Sequence, residues 1–151
     1  MNKNTKKWLL VIGWMILIFC FSNQPGNESN KNNEFVVYIF NLLGINLNSV
    51  LGELTNFIIR KAAHFTEYFI LAWLVFNAVK DDLSSNKDII ISVLVVFLYA
   101  CTDEVHQSFV PGRACMFRDV MIDTSGGAFA MIIAYFMSWK KISQSRKRAN
   151  K

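Results

Sequence analysis

Residues 57–79 read FIIRKAAHFTEYFILAWLVFNAV and decide the fold. The stretch is apolar except for Arg60, Lys61, His64 and Glu67 near its start. A helix of about 20 apolar residues is long enough to cross a bilayer core of about 30 Å. Charge at membrane depth is costly, so a polar group inside such a helix indicates a functional site.

Three further apolar blocks surround this stretch, at residues 8–23, 88–107 and 119–139. The chain has 151 residues, of which 53% are hydrophobic and 18% charged, and its apolar residues come in blocks, without strict alternation. The pattern predicts an all-α polytopic membrane bundle with four transmembrane helices. No small-x-small cleavage site follows the first block, which favours an uncleaved helix over a secretory signal.

The formal net charge of +5 lies mainly at the two ends of the apolar region. Lys3, Lys6 and Lys7 precede the first block, and a basic tail follows the last. Positive residues that flank helices mark the cytoplasmic side, so we expect both termini there and no nucleic-acid binding. The predicted domains are a membrane domain, 1–139, and a disordered cytoplasmic tail, 140–151.

The segment between the first two spans is polar at its start and apolar again from Phe35 to Leu47. About 13 residues are too few to span the bilayer. The segment is therefore either an interfacial helix, in the membrane surface or over the mouth of the bundle, or a loop packed by aromatic side chains. Pro111-Gly112 predicts a tight turn between the third and fourth spans.

Topology predicts that three polar clusters meet. With both termini inside, the start of the second span, the end of the third and the start of the fourth all lie at the outer end. At about 100° per residue, Arg60, His64 and Glu67 occupy roughly a 60° arc of one helix. The other two clusters also lie on polar faces of their helices. Small residues next to the cluster of the fourth span permit close approach of neighbouring helices. The members of these two clusters are Asp103, Glu104, His106 and Gln107, and Arg118, Asp119 and Asp123, with Gly126 beside them.

Three kinds of site fit these residues. In a binding site, the cations hold an anionic head group by parallel hydrogen bonds, with polar neighbours orienting them; this set is Arg60, Lys61, Gln107, Arg113, Arg118, Asp119 and Asp123. In a catalytic site, a histidine moves protons in hydrolysis or transfer at a phosphate or acyl centre; these candidates are His64, Glu67, Asp103, Glu104 and His106. A divalent metal site ranks last because the spacing matches no zinc signature, and no cofactor is predicted.

A purely structural alternative has the same residues pair with one another and fix the helix register. In that case Arg60 pairs with Glu67 or Asp103, and Arg118 pairs with Asp123. The number of charged side chains favours a site, because each charge at a helix centre costs about 2.5–3.5 kcal/mol on insertion scales.

The three motifs RKAAHFTEY (60–68), DEVHQSFVPGR (103–113) and RDVMIDTSGG (118–127) resemble those of the VanZ-like family of small bacterial membrane proteins. The similarity begins at the Phe-Ser-Asn-Gln-Pro after the first span and ends at the glycines of the fourth. The family is named for an accessory protein of glycopeptide-resistance clusters that is associated with reduced susceptibility to teicoplanin. The resemblance implies a multi-pass protein of the bacterial cytoplasmic membrane with a role in the cell envelope.

Together these observations predict a polar pocket on the extracytoplasmic side. We expect it to recognise or modify an anionic envelope component, such as a lipid-linked cell-wall precursor or an anionic lipid, and to affect teicoplanin susceptibility. The alternative is a non-catalytic membrane module whose charged cluster is a structural lock and which acts through a protein partner.

Overall fold

The computed structural model describes residues 2–80 and 85–149, with the side chains of 26–32, 85 and 139–149 outside that description. Within these ranges the chain is helical and contains no strand. The helices are α1 (Lys3–Ser22), α2 (Gly26–Leu42), α3 (Leu47–Leu51), α4 (Thr55–Val79), α5 (Ser85–Gln107) and α6 (Phe117–Ala149), and a single 3-10 turn, Gly52–Leu54, joins α3 to α4.

Four segments of the described chain are long and apolar enough to cross a membrane, which confirms the predicted multi-pass helical bundle. They are Lys3–Ser22, Leu47–Val79, Asn86–Gln107 and Phe117–Ser138. Large apolar side chains lie on the outer surface of the bundle, as in Leu10, 62% exposed, and Ile90, 64% exposed. Such faces suit contact with lipid chains.

The first helix begins before the predicted start of the first span, and the last helix ends after the predicted end of the last span. Helix α1 already includes the three N-terminal lysines, and the backbone of α6 remains helical through Ala149. The expectation of a disordered tail was therefore wrong up to Ala149, because Lys, Arg, Gln and Ala are good helix formers. Residues 81–84, between the second and third spans, lie outside the described residues.

The segment between the first two spans forms a helix, which settles the choice between helix and loop. Helix α2 begins at Gly26, well before the predicted Phe35, and ends at Leu42. Gly44 then has a φ of +82°, a conformation that side chains disfavour, so the predicted continuation to Leu47 is interrupted by a turn. The amide of Asn33 donates to the carbonyl of Asn56 at 3.2 Å and so fastens α2 to the start of α4.

The core of the bundle forms where α4 packs on α6 and α5. Leu71, Ala72 and Val75 of α4 are fully buried there. A methyl group added at Gly126 would lie 2.2 Å from the carbonyl oxygen of Phe65, so only glycine permits this approach of α6 to α4. The close approach places the polar residues near the start of α6 against those of α4.

Candidate functional site

The polar clusters of the three helices come together at one end of the bundle. We call this the site end; it is formed by the last turn of α1, the first turns of α4 and α6, and the last turns of α5. Lys61 of α4 forms an ion pair with Asp119 of α6. One turn further along, the His64 ring faces the Asp123 carboxylate.

Asp103 joins α5 to α1. The Ser22 hydroxyl donates to Asp103 Oδ2 at 2.7 Å, and the Gln107 amide donates to the same oxygen at 3.0 Å. All three residues are buried. Ser22 was not among the sequence candidates, although it lies in the Ser-Asn-Gln-Pro run with which the family resemblance begins.

Glu104 is 1% exposed and holds the loop that precedes α6. Its Oε2 accepts a hydrogen bond of 3.0 Å from the backbone N–H of Met116. Glu104 is one of the catalytic candidates from the sequence, and its contact in the structure is with the backbone.

Arg118 lies at the edge of the site end, with 61% of its side chain exposed. Its Nε is 3.7 Å from Asp119, and its guanidinium lies over the Phe57 ring at 5.1 Å. The pairing of Arg118 with Asp123 that the structural alternative anticipates is therefore not formed. Asp123 instead faces His64.

His64 and Asp123 lie close together but do not form a hydrogen bond. Their nearest atoms, Nδ1 and Oδ1, are 3.7 Å apart, beyond hydrogen-bond range. His64, Asp103 and Asp123 can each offer a ligand atom within 4.8 Å of the other two.

His106 lies on the side of α5 that contacts α1. Its ring packs on Phe19 with the ring centroids 4.3 Å apart. His106 is absent from the described linings of both polar cavities at the site end. Of the two histidines proposed as proton carriers, His64 borders one of these two cavities.

The four cations proposed from sequence line a single cavity of about 290 Å³, which we call the cationic cavity. Gln107 also lines it, and Asp119 is the carboxylate in its described lining. Asp119 is paired with Lys61 and lies 3.7 Å from Arg118, so the lining cations outnumber the lining carboxylate. The cations are Arg60, Lys61, Arg113 and Arg118.

A second cavity, of about 540 Å³, shares Arg60 and Arg113 with the first. Its wall also includes His64 and Glu67, and we call it the mixed cavity. The predicted polar arc of α4, Arg60, His64 and Glu67, therefore faces one space.

Arg60 and Arg113 retain free hydrogen-bonding capacity. In the part of the chain that is described, neither forms an ion pair with a carboxylate within 4 Å, and Arg113 Nε donates to the Gln24 carbonyl at 3.3 Å. Arg113 lies in the loop between spans, where burial and, next, the charge of Arg60 lower the pKa of its guanidinium. Arginine remains protonated in proteins, so two positive charges stay close together here.

The chain matches the model of the VanZ/LLP1 family over residues 7–138. No curated protein and no solved structure gives a significant match. The matched range includes most of the first span, the other three spans and the whole site end, and confirms the resemblance carried by the three motifs. The chain belongs to the VanZ-like family.

Proposed function

We propose that the site end recognises the anionic head group of a lipid-linked component of the cell envelope. One observation carries the proposal: Arg60, Lys61, Arg113 and Arg118 surround the cationic cavity, and its one described carboxylate is already paired. A cavity with surplus positive charge in an apolar bundle favours an anionic occupant.

The chemistry of arginine supports phosphate or carboxylate as the recognised group. A guanidinium can hold either group through two parallel charge-assisted hydrogen bonds. Arg60 makes no ion pair among the described side chains, and Arg113 uses its Nε for a backbone contact. An anion between the two would receive their free donors and reduce the repulsion between them.

Continuity with an apolar groove supports a lipid as the carrier of that anion. The mixed cavity adjoins the cationic cavity at Arg60 and Arg113, and it shares Phe21 and Ile59 with a groove of about 540 Å³. Apolar residues of α1, α2 and α4 line most of this groove. A ligand with a charged head group and a hydrocarbon chain fits this arrangement, with the head group in the cationic cavity and the chain along the apolar groove.

The proposed location is the bacterial cytoplasmic membrane. Lysines before the first span and basic residues after the last support cytoplasmic termini by the positive-inside rule, which orients the site end outward. Lipid-linked cell-wall precursors and anionic lipids are both accessible there. Capture of such a component would alter susceptibility to teicoplanin, the property for which the family is named.

Catalysis at this site would use His64 and Glu67. Both line the mixed cavity beside Arg60, where an imidazole and a carboxylate can exchange protons with a bound phosphate or acyl group. A hydrolase or transferase should lose turnover in His64→Asn and keep binding, whereas a protein that only binds should show no turnover in the wild type and keep binding in His64→Asn.

The alternative, a structural lock that acts through a protein partner, draws support from three contacts. These are Lys61 with Asp119, Ser22 with Asp103, and Glu104 with the Met116 N–H. Each joins two segments of the site end. Arg60 distinguishes the two functions. In a structural lock its guanidinium would pair with another side chain of the protein, whereas in a binding site its N–H donors stay free for the ligand.

Binding in lipid nanodiscs tests the proposal. We expect the wild type to bind a fluorescent lipid phosphate more tightly than the same lipid with a neutral head group. Charged hydrogen bonds contribute about 1.5–3 kcal/mol, so Arg60→Gln should weaken binding about 10- to 100-fold and leave Tm nearly unchanged.

Lys80→Gln is the matched control, because Lys80 lies at the opposite end of α4 and its ammonium contacts Asn77. It should bind like the wild type. Equal binding by Arg60→Gln and Lys80→Gln would overturn the proposal, and a large fall in Tm in Arg60→Gln would favour the lock.

A further inference from the structure

We infer that His64, Asp103 and Asp123 form a binding site for one divalent transition-metal ion. The three residues come from three different helices, α4, α5 and α6, and their potential ligand atoms lie within 4.8 Å of one another. The inference does not depend on the proposed anion binding, which rests on Arg60, Lys61, Arg113 and Arg118.

Burial without hydrogen bonds is the first argument. Asp123 is 1% exposed and His64 is 8% exposed. Among the described residues, His64 Nδ1 and Asp123 Oδ2 are buried and have no hydrogen-bond partner. A buried polar atom without a partner costs about 1–3 kcal/mol. Two such atoms on side chains that can offer ligand atoms within 4.8 Å of each other are better explained by a shared ligand than by chance.

Charge balance is the second argument. Within the described part of the chain, no lysine or arginine lies within 4 Å of Asp103 or Asp123, because Lys61 is paired with Asp119. Two carboxylates in an apolar bundle carry a charge that is expensive to bury. A divalent ion with two carboxylates and a neutral imidazole forms a group of zero net charge.

The third argument is that neighbouring hydrogen-bond donors fix the carboxylate of Asp103, as they do for ligands in metal sites. Ser22 and Gln107 both donate to its Oδ2, which fixes the carboxylate and leaves Oδ1 without a hydrogen bond of good geometry. The buried Tyr68 hydroxyl lies beside this carboxylate and can orient it further. Hydrogen bonds of this kind position ligands around metal ions in proteins.

Ligand chemistry selects the class of metal. One imidazole and two carboxylates suit Zn²⁺, Mn²⁺ or Fe²⁺ better than Ca²⁺ or Mg²⁺, which take oxygen ligands. With bonds of about 2.1 Å in tetrahedral geometry, ligand atoms around a metal lie about 3.4 Å apart, so separations of up to 4.8 Å must close by about 1 Å when the ion binds. His64 borders the mixed cavity, so a remaining coordination position can accept water or a ligand oxygen.

Metal titration of the whole chain tests the inference. The protein is purified without a polyhistidine tag, treated with a chelator and dialysed against Zn²⁺ or Mn²⁺. We expect one bound ion per chain and a rise in Tm as the metal concentration exceeds its Kd. Co²⁺ in the site should give an absorption spectrum of nitrogen and oxygen ligation.

Asp123→Asn should weaken metal binding at least 10-fold. Asp88→Asn is the matched control, because Asp88 is also a buried carboxylate but lies in the first turn of α5, at the opposite end of the bundle from the site end. If Asp123→Asn does not fold, the wild-type stoichiometry and Tm shift still decide the question. Absence of stoichiometric binding, or equal affinity in Asp123→Asn and Asp88→Asn, would overturn the inference. Arg60→Gln should retain the metal while losing the lipid phosphate, so the two proposals can fail separately.

Discussion

Replacing Gly126 with alanine should separate α6 from α4. The added Cβ would lie 2.2 Å from the Phe65 carbonyl oxygen, a distance that real Cβ atoms do not adopt. Relief requires a local shift of about 1 Å, because carbon atoms pack at about 3.5 Å and the obstructing atom is helix backbone, not a side chain that can rotate. Overpacking of this kind lowers the unfolding free energy by about 1–3 kcal/mol. Because the obstructing atom belongs to helix backbone, we expect a loss near the upper value.

Thermal unfolding in detergent, followed by tryptophan fluorescence, measures this effect. For a domain of about 150 residues, about 2–3 kcal/mol corresponds to a fall in Tm of roughly 4–12 °C. Gly13→Ala is the control, since nothing lies within 4 Å of the added methyl group. Gly127→Ala should fall between the two, because its methyl group would lie 2.7 Å from a side-chain atom of Val96 and not from helix backbone. Equal Tm values for Gly126→Ala and Gly13→Ala would refute the close approach of the helices.

Three further outcomes follow from the contacts at the site end. A double-mutant cycle of Lys61→Gln and Asp119→Asn, measured by chemical unfolding, should give a coupling of about 0.5–3 kcal/mol, and strict additivity would argue against the pair. Ser22→Ala should lower the unfolding free energy by about 1–3 kcal/mol because it removes a buried donor to Asp103, and the loss should disappear in the Asp103→Asn background if the two residues interact directly. The exposed Cys115 should react with an impermeant maleimide added to intact cells, whereas protection of a thiol that reacts after lysis would contradict the outward orientation.

The fold was predictable because each transmembrane span can be recognised from a short, continuous stretch of the sequence. Its apolar length and its polar flanks are visible in the sequence, and the family motifs fix their order. The convergence of the polar clusters also followed from topology and helical phase. Neighbouring antiparallel spans bring these residues together when the polar residues lie at alternating ends of successive spans.

The particular partners could not be predicted, because they depend on the rotation and depth of each helix. Glu104 and His106 lie on the same helix as Asp103, yet they contact the loop before α6 and Phe19 of α1. The role of Ser22 likewise depends on the depth at which α1 meets α5. Sequence phase places a residue on a face within tens of degrees, which is too coarse to choose between neighbouring partners.

The most direct test of the account is a double-mutant cycle on lipid-phosphate affinity for Arg60 and Arg113, the two guanidiniums shared by the cationic and mixed cavities. Equilibrium Kd values in nanodiscs are measured for the wild type, Arg60→Gln, Arg113→Gln and the double variant. If both side chains hold one anion, each single change weakens binding about 10-fold or more, and the double change costs measurably less than the sum of the two. Single variants that bind like the wild type, or two losses that add without coupling, would contradict a shared anion site.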